Sequence, residues 1–331
     1  MTILGFGVDA ALLASDWGRA ARWTSELLEL PAPAVAEGDA GGPMGAAWAQ
    51  NRLVWHRSLV QAQFARIELG QLLPQEGAQA ADAFVAAIGA ERRAGRNAGP
   101  WAVSGLSTII RKAEVLRRSG DREGAANAEQ QGALWALSLR DEPGWPAELA
   151  AGRPEEFLQR AALDLALLGR AQDAAAVLSG IDLDPRRVRP AAAHARVVAV
   201  PLAKEGKLVS FAVACWPVLP RDEEALLFAR DLAVLAWPSS DAAVGRILDA
   251  ALGAGASTLA ATEQLRDARP GAQGLGPLAG ELLGHRAVIA ARQGDFATAD
   301  RCIFELRQRG LEGEWARGLL ATVELERAKS R

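Results

Sequence analysis

The sequence predicts an all-α fold, an α-solenoid of antiparallel helix pairs, with an irregular helical bundle or toroid as the alternative. Three observations carry that expectation. Alanine is abundant, Tyr is absent and strand-favouring residues are thin across 331 residues that are 50% hydrophobic and 23% charged. Such a composition favours helix over strand and a folded chain over a disordered one. Breaks rich in Gly, Pro and Asp recur every 15 to 25 residues, and between them apolar residues return every three or four positions. Small residues also stand at repeated offsets from several of these breaks, which suits helices that must approach closely.

Taken in order, the stretch PAPAVAEGDAGGPMG (31–45) reads as a flexible connector after the first helical unit, ALLASDWGRAARWTSELLELP. A long helix is expected from about Gly45 to Leu69. The breaks RNAGP (96–100), RSGD (118–121) and RDEPGWP (140–146) bound the next helices, and Asp121 caps one of them after Gly120. DLDPRRVRP (182–190) marks a weaker subdivision near 184–190 inside what otherwise reads as one extended domain, 1–331. LVSFAVACWPVL (208–219) is rich enough in β-branched and aromatic residues for a strand, but no partner strand is visible, so a buried helix is expected. Ser240 or Asp241 starts a helix after WPSSD, and Asp295 starts one after Gly294. GAQGLGPLAGELLG (271–284) reads as a connector: its glycines lack the Lys-Ser/Thr and the preceding strand of a phosphate loop.

Four breaks share a pattern. Seven residues before and five after Gly120, Gly169 and Gly294 stand Ala113 and Ala125, Ala162 and Ala174, and Ala287 and Ala299. Around Ser15 the same places hold Val8 and Ala20. Leu178 and Ile303, four positions further along, are placed to pack on a following unit. With LALLGRAQDAAAVLSGIDLDP, IAARQGDFATADRCIFEL and DWGRAARWTSELLELP as its best matches, the chain resembles the tetratricopeptide-repeat (TPR) family in degenerate form. It departs from the family in lacking the early Trp-Leu-Gly-Tyr signature, and its turns at 15, 120, 169 and 294 follow no constant period. The resemblance implies stacked helix pairs that offer a concave binding surface. In that register Ser107, Ile110, Glu114, Arg117 and Arg118 face the groove, as do Glu281, Val288, Ala291 and Arg292. The family's carboxylate-clamp specificity does not carry over, because Ile110 and Glu114 occupy two of its positions.

Little else in the sequence carries chemistry. His56, His194 and His285 are isolated, with His194 expected to be buried and hydrogen-bonded, and no metal-ligand spacing links them to Cys215 or Cys302. GLST (105–108) lacks a nucleophile elbow. Glu155-Glu156, Asp222 and Glu223-Glu224 sit where helices begin, which suits the positive end of the helix dipole. Arginine clusters at 92–96, 111–118 and 185–190 could clamp carboxylates or phosphates of a partner, or simply form a solvated face. Ten Trp include Trp17 and Trp23, and also Trp48 and Trp55, which lie seven apart on one face of the long helix. Core packing explains such residues, and a part-exposed pair would mark an interface or self-association surface.

A net charge of -3 and no basic recognition helix argue against nucleic acid. The apolar runs are too short to span a membrane. The start lacks a basic region and two distant Cys build no disulfide framework, so a reducing cytoplasm is the expected compartment. The function these readings support is a non-catalytic scaffold or adaptor without cofactor or metal, binding a peptide or helix of another protein, with acidic character selected by arginine. A ligand- or peptide-sensing regulatory module and a toroidal glycan-active enzyme are the alternatives. The enzyme requires two carboxyls within about 10 Å in a Trp-lined pocket.

Overall fold

The computed structural model describes residues 11, 14, 16–29, 43–68, 70–95, 99–139, 153–180, 191–219, 223–238, 240–253, 275–308 and 314–330. Among them the regular elements are all helices, as expected. They are α1 (Trp17–Leu28), α2 (Pro43–Glu68), α3 (Pro74–Arg93), α4 (Gly99–Arg118), α5 (Arg122–Leu139), α6 (Arg153–Leu167) and α7 (Ala171–Ser179). There follow α8 (Ala191–Lys204), α9 (Leu208–Cys215), α10 (Glu223–Ala236), α11 (Asp241–Gly253), α12 (Leu275–Arg292), α13 (Phe296–Gln308) and α14 (Glu314–Lys329). Two connector expectations are corrected. Residues 43–45 form the first turn of α2, and 275–284 belong to α12, where Pro277 sits in the first turn and its missing N–H costs no helical bond. The subdivision near 184–190, and Val8 and Ser15 of the first unit, lie outside the described residues.

The sharp turns that pair the helices are built alike. Gly120, Gly169, Gly206 and Gly294 each adopt positive φ, between 67° and 89°. The residue after each glycine donates its N–H back five positions: Asp121 to Leu116, Arg170 to Leu165, Lys207 to Leu202 and Asp295 to Ala290. This is a Schellman stop, for which glycine is the residue without steric penalty. Restart is equally local. The Asp121 carboxylate accepts the N–H of Gly124 at 2.8 Å, Ser240 Oγ that of Ala243 at 3.0 Å and Asp295 that of Thr298 at 3.0 Å. Three-residue joints of this kind force neighbouring helices antiparallel.

The Gly206 turn is not visible as part of the sequence pattern. Ala199 stands seven residues before it, but Phe211 occupies the place five after, where the other units carry Ala. Both are fully buried, as are Ala113, Ala125, Ala162, Ala174 and Ala299. The apolar run after Gly206 is the helix α9, as anticipated.

Contacts divide the chain into two compact units, Met1–Phe157 and Leu158–Arg331, with the division falling inside α6. In the first, α2 to α5 stack in chain order. Its core is formed by Leu53, Val60, Phe64, Ala81, Phe84, Ala87, Ile88 and Val115, with Trp101 and Trp135 packed on its edge. Two ion pairs join neighbouring helices through buried carboxylates, Arg52 to Glu91 at 3.1 Å and Arg117 to Glu129 at 2.8 Å. In the second unit the helices form two rows. The first helices of successive pairs contact one another (α8 with α10, α10 with α12, α12 with α14), as do the second helices (α7 with α9, α9 with α11). This is the stacking of a helical repeat, in which each pair buries its apolar face only against its neighbours.

Two titratable sites report on this packing. His56 on α2 lies edge-on to Trp55, ring centroids 4.9 Å apart. Burial first, then the charge of Arg52, holds its pKa below the ordinary 6.5. The unfolded chain therefore binds more protons, and His56 contributes stability that is present above pH 6.5 and is lost as pH falls through its folded-state pKa. His56→Gln should flatten this part of the stability profile in urea titrations between pH 7 and pH 5. An unchanged slope would show that His56 does not feel its surroundings in this way. Cys215 and Cys302 are free and buried. Burial pushes the Cys302 thiol up to about 11 and the Cys215 thiol further still. Ellman's reagent should titrate neither rapidly in native protein, Cys302 before Cys215, and both at once in denaturant.

Candidate functional site

Helices α2 and α4, two apart in the chain, lie side by side and run parallel. Trp101 Nε1 near the start of α4 donates to Gln50 Oε1 near the start of α2 at 2.6 Å. At the other ends Arg118 donates to Glu68 at 3.3 Å. Between these bonds lies a cleft of about 190 Å³ lined by Arg57, Val60, Gln61 and Phe64 of α2 and by Val103, Ser104, Ser107, Thr108 and Arg111 of α4. The α2 residues follow the three-and-four spacing of one helix face, and so do those of α4. Val60 and Phe64 are buried and form an apolar floor.

The charge at this cleft is of one sign. Among the described residues two guanidiniums, three hydroxyls and one amide line it, and no carboxylate does. Arg111 stands over the Phe64 ring, its guanidinium carbon 5.2 Å from the centroid. The ring face holds the cation in place without neutralising it. Neither Arg111 nor Ser104, Ser107 or Thr108 forms a hydrogen bond or ion pair with another described residue. Glu114, one turn beyond Arg111, is exposed and makes no ion pair with it.

The groove residues expected from the sequence separate into distinct fates. Ser107 lines the cleft. Ile110 is half-buried and Glu114 exposed on the same helix. Arg117 is spent on buried Glu129, and Arg118 on Glu68. In the second unit Glu281 lies 3.6 Å from His285 on its own helix. Arg292 pairs with Asp241 at 3.7 Å and stands over Trp237. Val288 and Ala291 do not face a groove. They are buried, because α12 is packed against α10, α11, α13 and α14 and is apolar on nearly every side. Of the proposed interface aromatics, Trp55 is half-buried with its indole N–H enclosed and unbonded. The Trp48 side chain lies outside the described residues.

Sequence reading missed Arg57, Gln61 and Ser104, and counted Arg111 only as one of a cluster. Only the 57/61/64 and 104/107/111 spacings hint at them, and nothing local says that those two faces meet. His194 is buried, as expected, with Gln159 Nε2 at 2.5 Å from its Nδ1.

Two further clefts bear on the alternatives. Among the described lining residues, one of about 460 Å³ between α3 and α5 has Trp135 but no carboxylate, and one of about 1000 Å³ along α7, α9 and α11 has Asp173 but no Trp. Neither described lining pairs two carboxyls with a Trp, the arrangement expected of a glycan-active site. Among the described residues no three His, Cys, Asp or Glu converge as metal ligands, and no helix is long and apolar enough to cross a membrane.

No protein-family model and no curated protein matches the chain. Among solved structures it is similar to a circular tandem repeat protein with novel repeat topology and enhanced subunit contact surfaces. The two share 16% identity at a TM-score of 0.32, over 98% of this chain and 82% of that one.

Proposed function

We propose that the chain is a non-catalytic, TPR-like interaction protein that binds an acidic segment of another protein across the α2/α4 face. The observation that carries this reading is the cleft around Arg111, where no carboxylate stands among the described lining residues. In the second unit Arg196 pairs with Asp231, Arg286 with Asp249 and Arg292 with Asp241, so those charges are satisfied within the fold. Arg111 is not, and a guanidinium on an apolar floor gains most from a carboxylate or phosphate that arrives from outside. Neighbouring residues favour the same partner: Ser107 adds a neutral donor, and exposed Val103 adds apolar contact at the rim. Free, buried thiols support a reducing compartment such as the cytoplasm.

Fluorescence anisotropy with a labelled deca-glutamate peptide tests the proposal. Binding should weaken as salt rises and should be lost in Arg111→Gln. Arg246→Gln removes an exposed arginine from the second unit and should leave binding intact. Equal losses in the two variants would reduce the effect to general charge and overturn the assignment to this face.

A further inference from the structure

Helices α3 and α5, the second members of the first unit's two pairs, lie side by side and run parallel. Near their C-terminal ends Arg92 donates to Ser138 Oγ at 3.1 Å and to its carbonyl at 3.0 Å. Midway, Lys112 of α4 bridges Asp82 of α3 at 2.6 Å and Gln131 of α5 at 3.4 Å. The cleft of about 460 Å³ runs along α5 here, within the roughly 300–1,000 Å³ of ligand sites. Buried Val85 and half-buried Trp135 form its floor and exposed Leu134 its apolar rim, while Asn127, Gln130 and Gln131 supply polar lining. No charged side chain stands among the described lining residues, and Lys112 is neutralised by Asp82.

What this cleft offers a ligand is amide. Asn127 is exposed and forms no hydrogen bond with another described residue, so its side chain keeps two donors and an acceptor. Gln131 accepts from Lys112 through Oε1 and keeps its Nε2 donors. Gln130 donates from Nε2 to the Ala126 carbonyl at 3.4 Å and keeps Oε1 as an acceptor. The Trp135 indole is already engaged: its N–H donates to the Ala102 carbonyl at 3.3 Å, and Arg92 stands over its ring at 5.5 Å. A neutral site with both amide donors and amide acceptors matches the peptide unit, which carries one N–H and one C=O, better than it matches an ion. Spacing agrees. Asn127 and Gln131 are four residues apart, about 6 Å along the helix, and alternate residues of an extended chain present the same edge about every 6.7 Å. From Asn127 to Ser138 is about 16 Å, the length of about five extended residues.

We propose that the α3/α5 cleft docks an uncharged segment of a partner protein in extended form. Asn127 pairs with the N–H and C=O of one residue, and Gln130 and Gln131 serve the residue two places on. An aliphatic side chain of the same segment packs among Val85, Leu134 and Trp135. The site shares no lining residue with the α2/α4 cleft and does not depend on the acidic-segment reading.

The test uses the full chain and acetyl-Ser-Leu-Ser-Leu-Ser amide, titrated by calorimetry and by NMR of the Asn and Gln side-chain amide groups. Binding should persist as salt rises, because no charge is paired, and should persist in Arg111→Gln. Asn127→Ala, at an exposed position without a described partner, should weaken it about tenfold, the worth of about two neutral hydrogen bonds. Leu134→Ser should weaken it through loss of the apolar rim. The same peptide N-methylated at every residue should not bind, since it has lost the N–H groups that the amides read. Unchanged affinity in either variant, or binding of the methylated peptide equal to that of its parent, would overturn the proposal. So would binding that is lost with salt or in Arg111→Gln, which would move the peptide to the α2/α4 face. No binding of the unmethylated peptide would overturn this proposal and leave the acidic-segment reading standing.

Discussion

Phe211→Ala is expected to destabilise the second unit by about 3–5 kcal/mol, the cost of emptying a fully buried aromatic site. By analogy among the repeats the change looks harmless, since Ala125, Ala174 and Ala299 occupy the equivalent place after their glycine turns. The structure argues otherwise. Phe211 is wholly enclosed on α9, a helix of 8 residues that is packed against α7, α8, α10 and α11. The helix is short and its buried side chains are few (Leu208, Phe211, Ala212 and Cys215), so no neighbour can fill the space that the ring leaves. Alanine's slightly better helix propensity recovers only a few tenths of a kcal/mol. A urea midpoint within error of the parent protein would show that α9 is not part of the cooperative core.

Gly132→Ala should also destabilise, by about 1–3 kcal/mol, although alanine normally improves a helix interior by about 1 kcal/mol over glycine. A Cβ at position 132 on α5 would lie 2.6 Å from the ring of Phe157, which is itself buried and has no flexible end to swing away. Gly132→Val should be worse, because it places branched methyl groups in the same contact. Gly89→Ala on α3 is the control: the nearest atom to its added Cβ is the far end of Arg93, at 3.4 Å. That variant should melt no lower than the parent. If the two alanine variants shift the melting temperature in the same direction, the close approach of α5 to Phe157 is wrong.

These two positions show what kind of information the sequence holds openly. Helix starts and stops are local events, decided by a glycine at positive φ and a capping side chain within four residues. They were legible at Gly120, Gly169 and Gly294, and at Asp121, Ser240 and Asp295. The Gly206 turn has the same backbone but hides because its packing residue is large. The candidate site was legible only in part. Ser107 could be placed on an open face from its register along α4. Arg57 and Gln61 could not, because their position depends on α2 lying beside α4, and no spacing within either helix encodes that. The transfer of register from α4 to α12 failed at Val288 for a related reason. An exposed face on one first helix need not be exposed on another that has neighbours on more sides.

The contacts themselves have a consequence for how the protein comes apart. Substantial helix–helix contacts among the described residues join elements one or two places apart in the chain, and the ion pairs follow the same rule. Among the described residues no comparable contact joins helices further apart. Loss of a terminal helix therefore removes only its own interface. Unfolding is then expected to proceed as a zipper from the ends, with amide protection graded along each unit and greatest in its central helices.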